Sequence, residues 1–340
     1  MSVYEHITEF AGLPVVDFLS DDIEEERYQK ARRHAGADGA RVEPDDGAYA
    51  AALADPGSVA WRLRVSSYDP QEPFEEYFAR FLAEVDTARV GALVIGCWGE
   101  SYEVDASVPR DLLVGNAGRF PALRALFLGE YLAEEAEISW IQQTDVTPLL
   151  AAFPALRELT VRGGERLEFP ATGHEALASL TVQTGGLPGE AVAGILASDL
   201  PALERLELWF GVEDYGGTTT VETLEPLLSG KVFPSLRHLG PRNSPWGDDL
   251  VRALAGAPVL RRIRVLDLSG HVLRDEGGRV LASAPAFRGL ERLVLRYHFL
   301  SEPVMAELRA ALAGVDLDLS GPEEPDAYKD EVYYYPEVTE

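Results

Sequence analysis

Few residues in this chain sit at a spacing that could do chemistry, and most candidates fail at the next required position. His174-Glu175 starts like the zinc-hydrolase motif H-E-x-x-H, but Ala178 stands where the second metal-binding histidine belongs. Asp316–Gly321 reads DLDLSG, like the start of a calcium-binding EF-hand loop. Its twelfth position would be Ala327 instead of the bidentate glutamate. Cys97, the single cysteine, has no histidine or basic cluster beside it to form a thiolate, and next to Ile95 it reads as partly buried. His271 and His298 stand three positions after the last leucine of two leucine-rich phrases. Either they satisfy buried backbone groups, as an asparagine could, or they begin a metal site. Zinc needs three or four ligands, and Asp275 is the only further candidate nearby. The structural role is the expectation. There is no G-x-S-x-G, no phosphate loop and no dinucleotide fingerprint. No catalytic residue, metal or cofactor is therefore expected.

The elements that carry these residues come from a repeat. FPALRALFL at Phe120–Leu128 recurs as FPALRELTV at Phe153–Val161. Looser copies are LPALERLEL at Leu200–Leu208, FPSLRHLG at Phe233–Gly240 and FRGLERLVL at Phe287–Leu295. This is the L-x-x-L-x-L core of a leucine-rich repeat. Anchors on its second leucine fall at Leu63, Leu93, Leu126, Leu159, Leu180, Leu206, Leu239, Leu266, Leu293 and Leu317, between 21 and 33 residues apart. Each L-x-L makes a short strand with its leucines inward, and the chain returns as a helix on the outer side. One unit cannot bury its apolar face alone, so neighbours must stack. The fold class expected is an α/β leucine-rich-repeat solenoid of about ten repeats, with a curved parallel sheet on the concave side.

Helices are expected at Phe74–Val85, where apolar residues follow a 3.6-residue period with Asp69 as cap. Further ones are expected at 145–152, 189–197, 221–228, 248–255, 275–282 and 301–312. Residues 1–58 read as an N-terminal cap (Tyr4–Phe18) carrying a flexible acidic insertion, in which DDIEEERYQKARRH could form an exposed helix. Residues 59–320 are the repeat domain and 321–340 an acidic, tyrosine-rich segment. A solvating tail would not need YYYP, so this last segment is expected to pack on the last repeat; a free interaction tail is the alternative.

Composition narrows the function. A net charge of −27 would repel a phosphate backbone, which argues against nucleic acid as the main partner. The N-terminus lacks the basic and apolar runs of a signal peptide, and no stretch approaches the length of a membrane span. A cytoplasmic, acidic protein is expected.

Two surfaces are candidates for binding. On the concave face the repeat exposes Arg162, Arg205, Trp209, Arg242, Arg292 and Arg296, residue types that dominate binding hot spots. The long rim loops 97–105, 130–143 and 209–220 offer Trp98, Phe210 and Tyr215 with the acids Glu134, Glu135 and Glu137. The competing readings are that the arginines merely pair with acids and that the aromatics close the core. Trp140, flanked by Ile138 and Ile141, is expected to be buried.

With the opening YEHITEFAGLPVVDF and EISWIQQTDVTPLLAAFPALRELTVRGG, the chain resembles an uncharacterised leucine-rich-repeat family of bacteria, common in actinomycetes. The likeness runs over nearly the whole chain, through WRLRV, SYDPQEPFEEYFARFL and DLPALERLELWFGVEDYGG, and departs at the insertion near 20–55. The resemblance carries no catalytic residues. Genes of that family tend to neighbour ATP-grasp-like and radical-SAM-like enzymes, which implies an accessory or substrate-presenting role. The expected function is a non-catalytic protein or peptide recognition scaffold. The runner-up is an accessory subunit that presents a basic leader peptide through acidic rim loops.

Overall fold

A computed structural model describes residues 4–34, 47–100, 102–329 and 331–340. The central part of the acidic insertion, 35–46, lies outside the described residues. The chain divides into two compact units, Met1–Arg162 and Gly163–Glu340. Both are built from the expected strand-and-helix repeat, and the fold is a leucine-rich-repeat solenoid.

In the first unit a short antiparallel pair, β1 (Glu9–Phe10) and β2 (Leu13–Asp17), leads into parallel strands β3 (Ala60–Leu63), β4 (Ala92–Ile95), β5 (Ala125–Leu128) and β6 (Glu158–Arg162). Trp61 of β3 lies opposite Leu93, which lies opposite Leu126 and then Leu159. The true anchor of the first repeat is therefore Trp61. The expected anchor, Leu63, lies one full strand period further on, on the same face and buried. Val16 pairs with Trp61, so the expected cap already contains a parallel strand.

Helices return between the strands: α1 (Asp21–His34), α2 (Gly47–Ala54), α3 (Phe74–Glu84), α4 (Ser107–Gly115) and α5 (Thr147–Ala152). In α3, Phe74, Tyr77, Phe78 and Phe81 form one buried stripe, with Glu75 and Glu76 near the positive end of its dipole. Its cap is Pro73 and not Asp69, which adopts a left-handed turn (φ 48°) upstream. Helix α4 had no clear signal in the sequence. Its PRDLLVG run has only three apolar positions, and Leu113 is the one leucine there that is fully buried.

The second unit runs through β7 (Ser179–Gln183), β8 (Arg205–Trp209), β9 (His238–Arg242), β10 (Val265–Asp267), β11 (Arg292–Val294) and β12 (Asp316–Asp318), all parallel. Its helices are α6 (Gly189–Ala197), α7 (Glu225–Leu228), α8 (Gly247–Ala255), α9 (Asp275–Ser283) and α10 (Glu302–Ala311). Leu180, Leu206, Leu239, Leu266 and Leu293 align across the sheet and are buried.

One capping device repeats here. The buried Asp248 of α8 accepts the amides of Arg274 and Gly277 at the start of α9. Asp275 of α9 then accepts the Ser301 amide and hydroxyl at the start of α10. Each acid satisfies orphan N–H groups of the next helix, so each repeat is fastened to its neighbour by a charge-assisted bond. A last hairpin, β13 (Asp326–Tyr328) with β14 (Glu331–Tyr333), is exposed throughout.

Candidate recognition site

The outward positions of the two units differ. In the second unit β8 presents the polar Arg205 and Glu207 with Trp209. Glu207 of β8 sits opposite Gly240 of β9, where a methyl would come within 3.1 Å of its Cγ. The missing side chain leaves room for Glu207 to lie across the sheet. There it accepts from the Arg205 guanidinium (2.7 Å), the Arg242 guanidinium (2.9 Å) and the Trp209 indole N–H (2.9 Å). Arg242 also stacks on the Trp209 ring, 4.7 Å from its centre, and its Nε lies 3.7 Å from Asp267.

Burial alone would raise the Glu207 carboxyl, but Arg242, Arg205 and the Trp209 N–H outweigh it and hold it at about 2. His238 is pushed down to about 4 by burial and by Arg205, so it is neutral at neutral pH. The result is a rigid, nearly buried platform of Glu207, Trp209 and Arg242. Around it stand Arg205 and Arg292, each about half-exposed, and the exposed Arg296. Arg292 faces Asp316 at 3.3 Å and Asp318 at 3.8 Å.

In the first unit the outward Ala60, Ala92, Val94, Ala125 and Phe127 form a buried apolar cluster, with the outward Arg62 and Thr160 beside it on the same rows. The cover is the chain's own N-terminal segment. Phe10 packs into this cluster with Ile7, Leu13 and Val15 against it, and its ring lies 6.0 Å from Phe127. Polar groups tie the segment down. Glu130, fully buried, accepts from the Ile7 amide at 2.9 Å and contacts His6 Nδ1 at 2.9 Å. Arg62 makes a two-pronged pair with Asp17 (2.6 and 2.9 Å) and donates to the Ile7 carbonyl. A surface expected to be open is thus a second small core.

This placement sorts the expected binding residues. Arg162 is 1% exposed: it donates to the Tyr131 carbonyl at 2.7 Å and lies over Phe127, and burial pushes its pKa down to about 10. Trp98 is buried edge-on against Tyr131, and Phe210 is buried 4.8 Å from the Trp246 ring. All three are buried: Trp98 and Phe210 because their loops fold inward, and Arg162 because Tyr131 and Phe127 enclose it. Glu135 is mostly shielded: burial pushes its pKa up, and it accepts the Leu132 amide while facing Arg64 and His6. Glu134 and Glu137 are exposed, and Tyr215 is half-exposed beside Glu340. Trp140 reverses the expectation. It is 57% exposed, with its indole N–H donating to Glu137.

His271 and His298 have structural roles. His271 Nδ1 accepts the Ser244 amide while Nε2 faces the Pro241 carbonyl. His298 Nδ1 accepts the Leu300 amide while Nε2 faces the Leu319 carbonyl. Among the described residues, no group of three or more metal-binding side chains comes together. Cys97 is buried, and burial pushes its thiol up to about 12. No helix among the described residues is long and apolar enough to cross a membrane.

Glu207 and the N-terminal cover are not among the expected site features. A signal for the cover is present on β4 and β5, whose outward positions are alanine, valine and phenylalanine, where β8 and β9 carry arginine, glutamate and histidine.

No family model matches the chain, and no curated protein does. Among solved structures, a Bacteroides fragilis protein determined as a structural-genomics target superposes with a TM-score of 0.68. It is 33% identical, over 74% of this chain and 71% of its own. The chain belongs to that protein's family. An internalin from Listeria monocytogenes aligns at 16% identity over 69% of this chain and 56% of its own, with a TM-score of 0.36.

Proposed function

We propose that this protein is a non-catalytic recognition scaffold that binds a protein or peptide partner through the concave face of its second unit. The observation that carries the reading is the contrast within that face. Arg205, Arg292 and Arg296 reach solvent, while the Glu207–Arg242–Trp209 platform beside them is locked by mutual bonds. Arg205 and Arg292 lie on one row, three strands apart through His238 and Val265, or about 14 Å. Guanidinium groups on a rigid base are suited to an extended segment bearing carboxylates. A chain that carries a large negative charge elsewhere would hold such a segment only at this local patch.

The test uses fluorescent peptides of acidic, neutral and basic composition. Replacing Arg205, Arg292 and Arg296 together by alanine should weaken the acidic class at least about tenfold. The melting temperature should stay within a few degrees, because none of the three is buried. Acidic-peptide binding unchanged by the triple substitution would sink the proposal.

A second reading draws on Trp140. An exposed indole hydrogen-bonded to Glu137, with Glu134 exposed nearby in sequence, forms an acidic aromatic patch on the first unit's rim. Such a patch suits a basic leader peptide, as in the accessory role implied by the resemblance to the actinomycete family. Loss of basic-peptide binding on Trp140→Ala with Glu137→Gln would favour it. Glu135 is a poor probe of this reading because its carboxylate is tied to internal partners.

A further inference from the structure

The segment Tyr334–Glu340 lies extended along the second unit, and its contacts are those of a bound peptide. The Asn243 carboxamide donates to the Val338 carbonyl (2.6 Å) and accepts from the Val338 amide (2.9 Å). One side chain thus satisfies both backbone groups of one residue, a backbone reading independent of the side chain it holds. The Glu337 amide donates to the Gly270 carbonyl at 3.0 Å, and the Tyr297 hydroxyl to the Tyr335 carbonyl at 3.1 Å. Gly270 has φ 79°, and a methyl there would sit 3.1 Å from the Glu337 carboxylate, so glycine is needed for the close approach. Side chains add selectivity. The Glu337 carboxylate lies 3.7 Å from Arg242, Pro336 is buried, and Tyr334 sits edge-on to Phe299 at 5.0 Å with Arg274 above its ring at 5.7 Å.

The receiving groups have their own anchors. Arg242 is fixed by Glu207 and Trp209. Asn243 is held in a left-handed turn (φ 58°), its amide donating to the Ser269 carbonyl and its carbonyl accepting from Gly211. The Gly270 amide donates to the Arg296 carbonyl and the Tyr297 amide to the Ser320 carbonyl. The groove is therefore built by the repeats, not by the segment that fills it. That segment buries little: Tyr334 is 37% and Tyr335 50% exposed, and it hangs from the exposed hairpin β13–β14.

We infer that residues 334–340 are an internal pseudo-ligand, and that the groove they fill binds an extended peptide of a partner protein. The peptide class is an aromatic residue, one spacer, proline and then an acid, as in Tyr334-Tyr335-Pro336-Glu337. This rests on the recognition-scaffold reading and gives it a ligand class. A tethered segment competes at an effective concentration of order millimolar. The resting groove is then closed to weak peptides and opens to stronger ones.

The first variant changes only the segment, in the full chain. Glu337→Arg with Val338→Pro places a like charge against Arg242 and removes the amide that Asn243 accepts. Fluorescein-labelled YYYPEVTE is then titrated into both chains, with a scrambled peptide as control. The released chain should bind the labelled peptide at least about 100-fold more tightly than the parent. Adding Asn243→Gly to the released chain should abolish that gain, with circular dichroism checking that the fold is kept. In the parent, the Glu337 and Val338 amides should be protected from hydrogen exchange. Equal, weak binding to parent and released chains would overturn the inference. So would a parent that sediments as a dimer and becomes a monomer when the segment is altered, because the segment would then serve a second copy. If the labelled peptide binds the released chain while the Arg205, Arg292 and Arg296 substitutions leave acidic-peptide binding untouched, the groove stands and the concave-face reading falls.

Discussion

Acid should loosen the second unit through His271. Its Nδ1 accepts the Ser244 amide at 3.0 Å, so only the neutral ring, protonated on Nε2 toward the Pro241 carbonyl, fits the site. A charged ring would set one N–H against another. Burial pushes the pKa from 6.5 down to about 4, with the bond to the Pro241 carbonyl opposing the shift. A folded-state pKa below the unfolded one means that the unfolded chain takes the proton first. The contribution is whole above about pH 6.5 and is lost as the pH falls through about 4. The gap between the two titration curves grows by about 2 kcal/mol from pH 7 to pH 5 and reaches about 3 kcal/mol below pH 4. Urea titrations at those pH values measure the gap, read by tryptophan fluorescence; the Trp246 ring lies 6.3 Å from His271. His271→Asn keeps one donor and one acceptor but cannot titrate. It should lose about 2 kcal/mol less than the parent between pH 7 and pH 5. His238 and His298, also shifted down, remain in both chains and cancel in the comparison. Equal pH slopes in the two chains would refute the assignment.

Three further outcomes follow from the same geometry. Glu207→Gln removes the carboxylate that lies 2.9 Å from Arg242 and should destabilise the second unit by about 3 kcal/mol, seen as a lower urea midpoint. Phe10→Ala should cost about 3 kcal/mol and raise binding of a hydrophobic dye, because the Ala60–Phe127 cluster loses its cover. A parent-like midpoint would show that the N-terminal segment is not packed there. Cys97 should react with a thiol reagent near pH 8 at least about 100-fold more slowly in the native chain than in urea, since burial holds the thiol protonated.

The repeat itself was legible because each leucine anchor carries its own local period, and strand register follows from that period once neighbours stack. The helices expected at 189–197 and 21–34 match the bounds of α6 and α1, but α1 is not simply exposed: its Ile23 is buried and its Glu26 pairs with Arg64. The anchor of the first repeat differs from the expected Leu63 because Trp61 stands in the leucine slot, an apolar and fully buried residue that a leucine pattern does not register. The site was less legible for a different reason. Exposure on a repeat's outward face depends on what lies over it, and Phe10 and Glu337 reach their places from far along the chain. Trp98, Trp140 and Phe210 show the limit within single loops. Their neighbours are similar, yet one indole is solvent-facing and the other two rings are buried, a difference decided by which way each loop folds.

The strand edges bear on self-assembly. At one edge β1 runs antiparallel to β2, so the leading edge ends in a strand of the wrong polarity for another repeat to extend in parallel. At the other, β12 is only three residues long, Asp-Leu-Asp, with Asp316 exposed and Asp318 half-buried. An incoming strand would have to bring basic residues or place its own acids against these, and it would find few hydrogen bonds in return. Proteins made of stacked identical motifs risk growing into fibres by adding one molecule to the end of another. Here one edge disfavours such addition by direction and the other by charge.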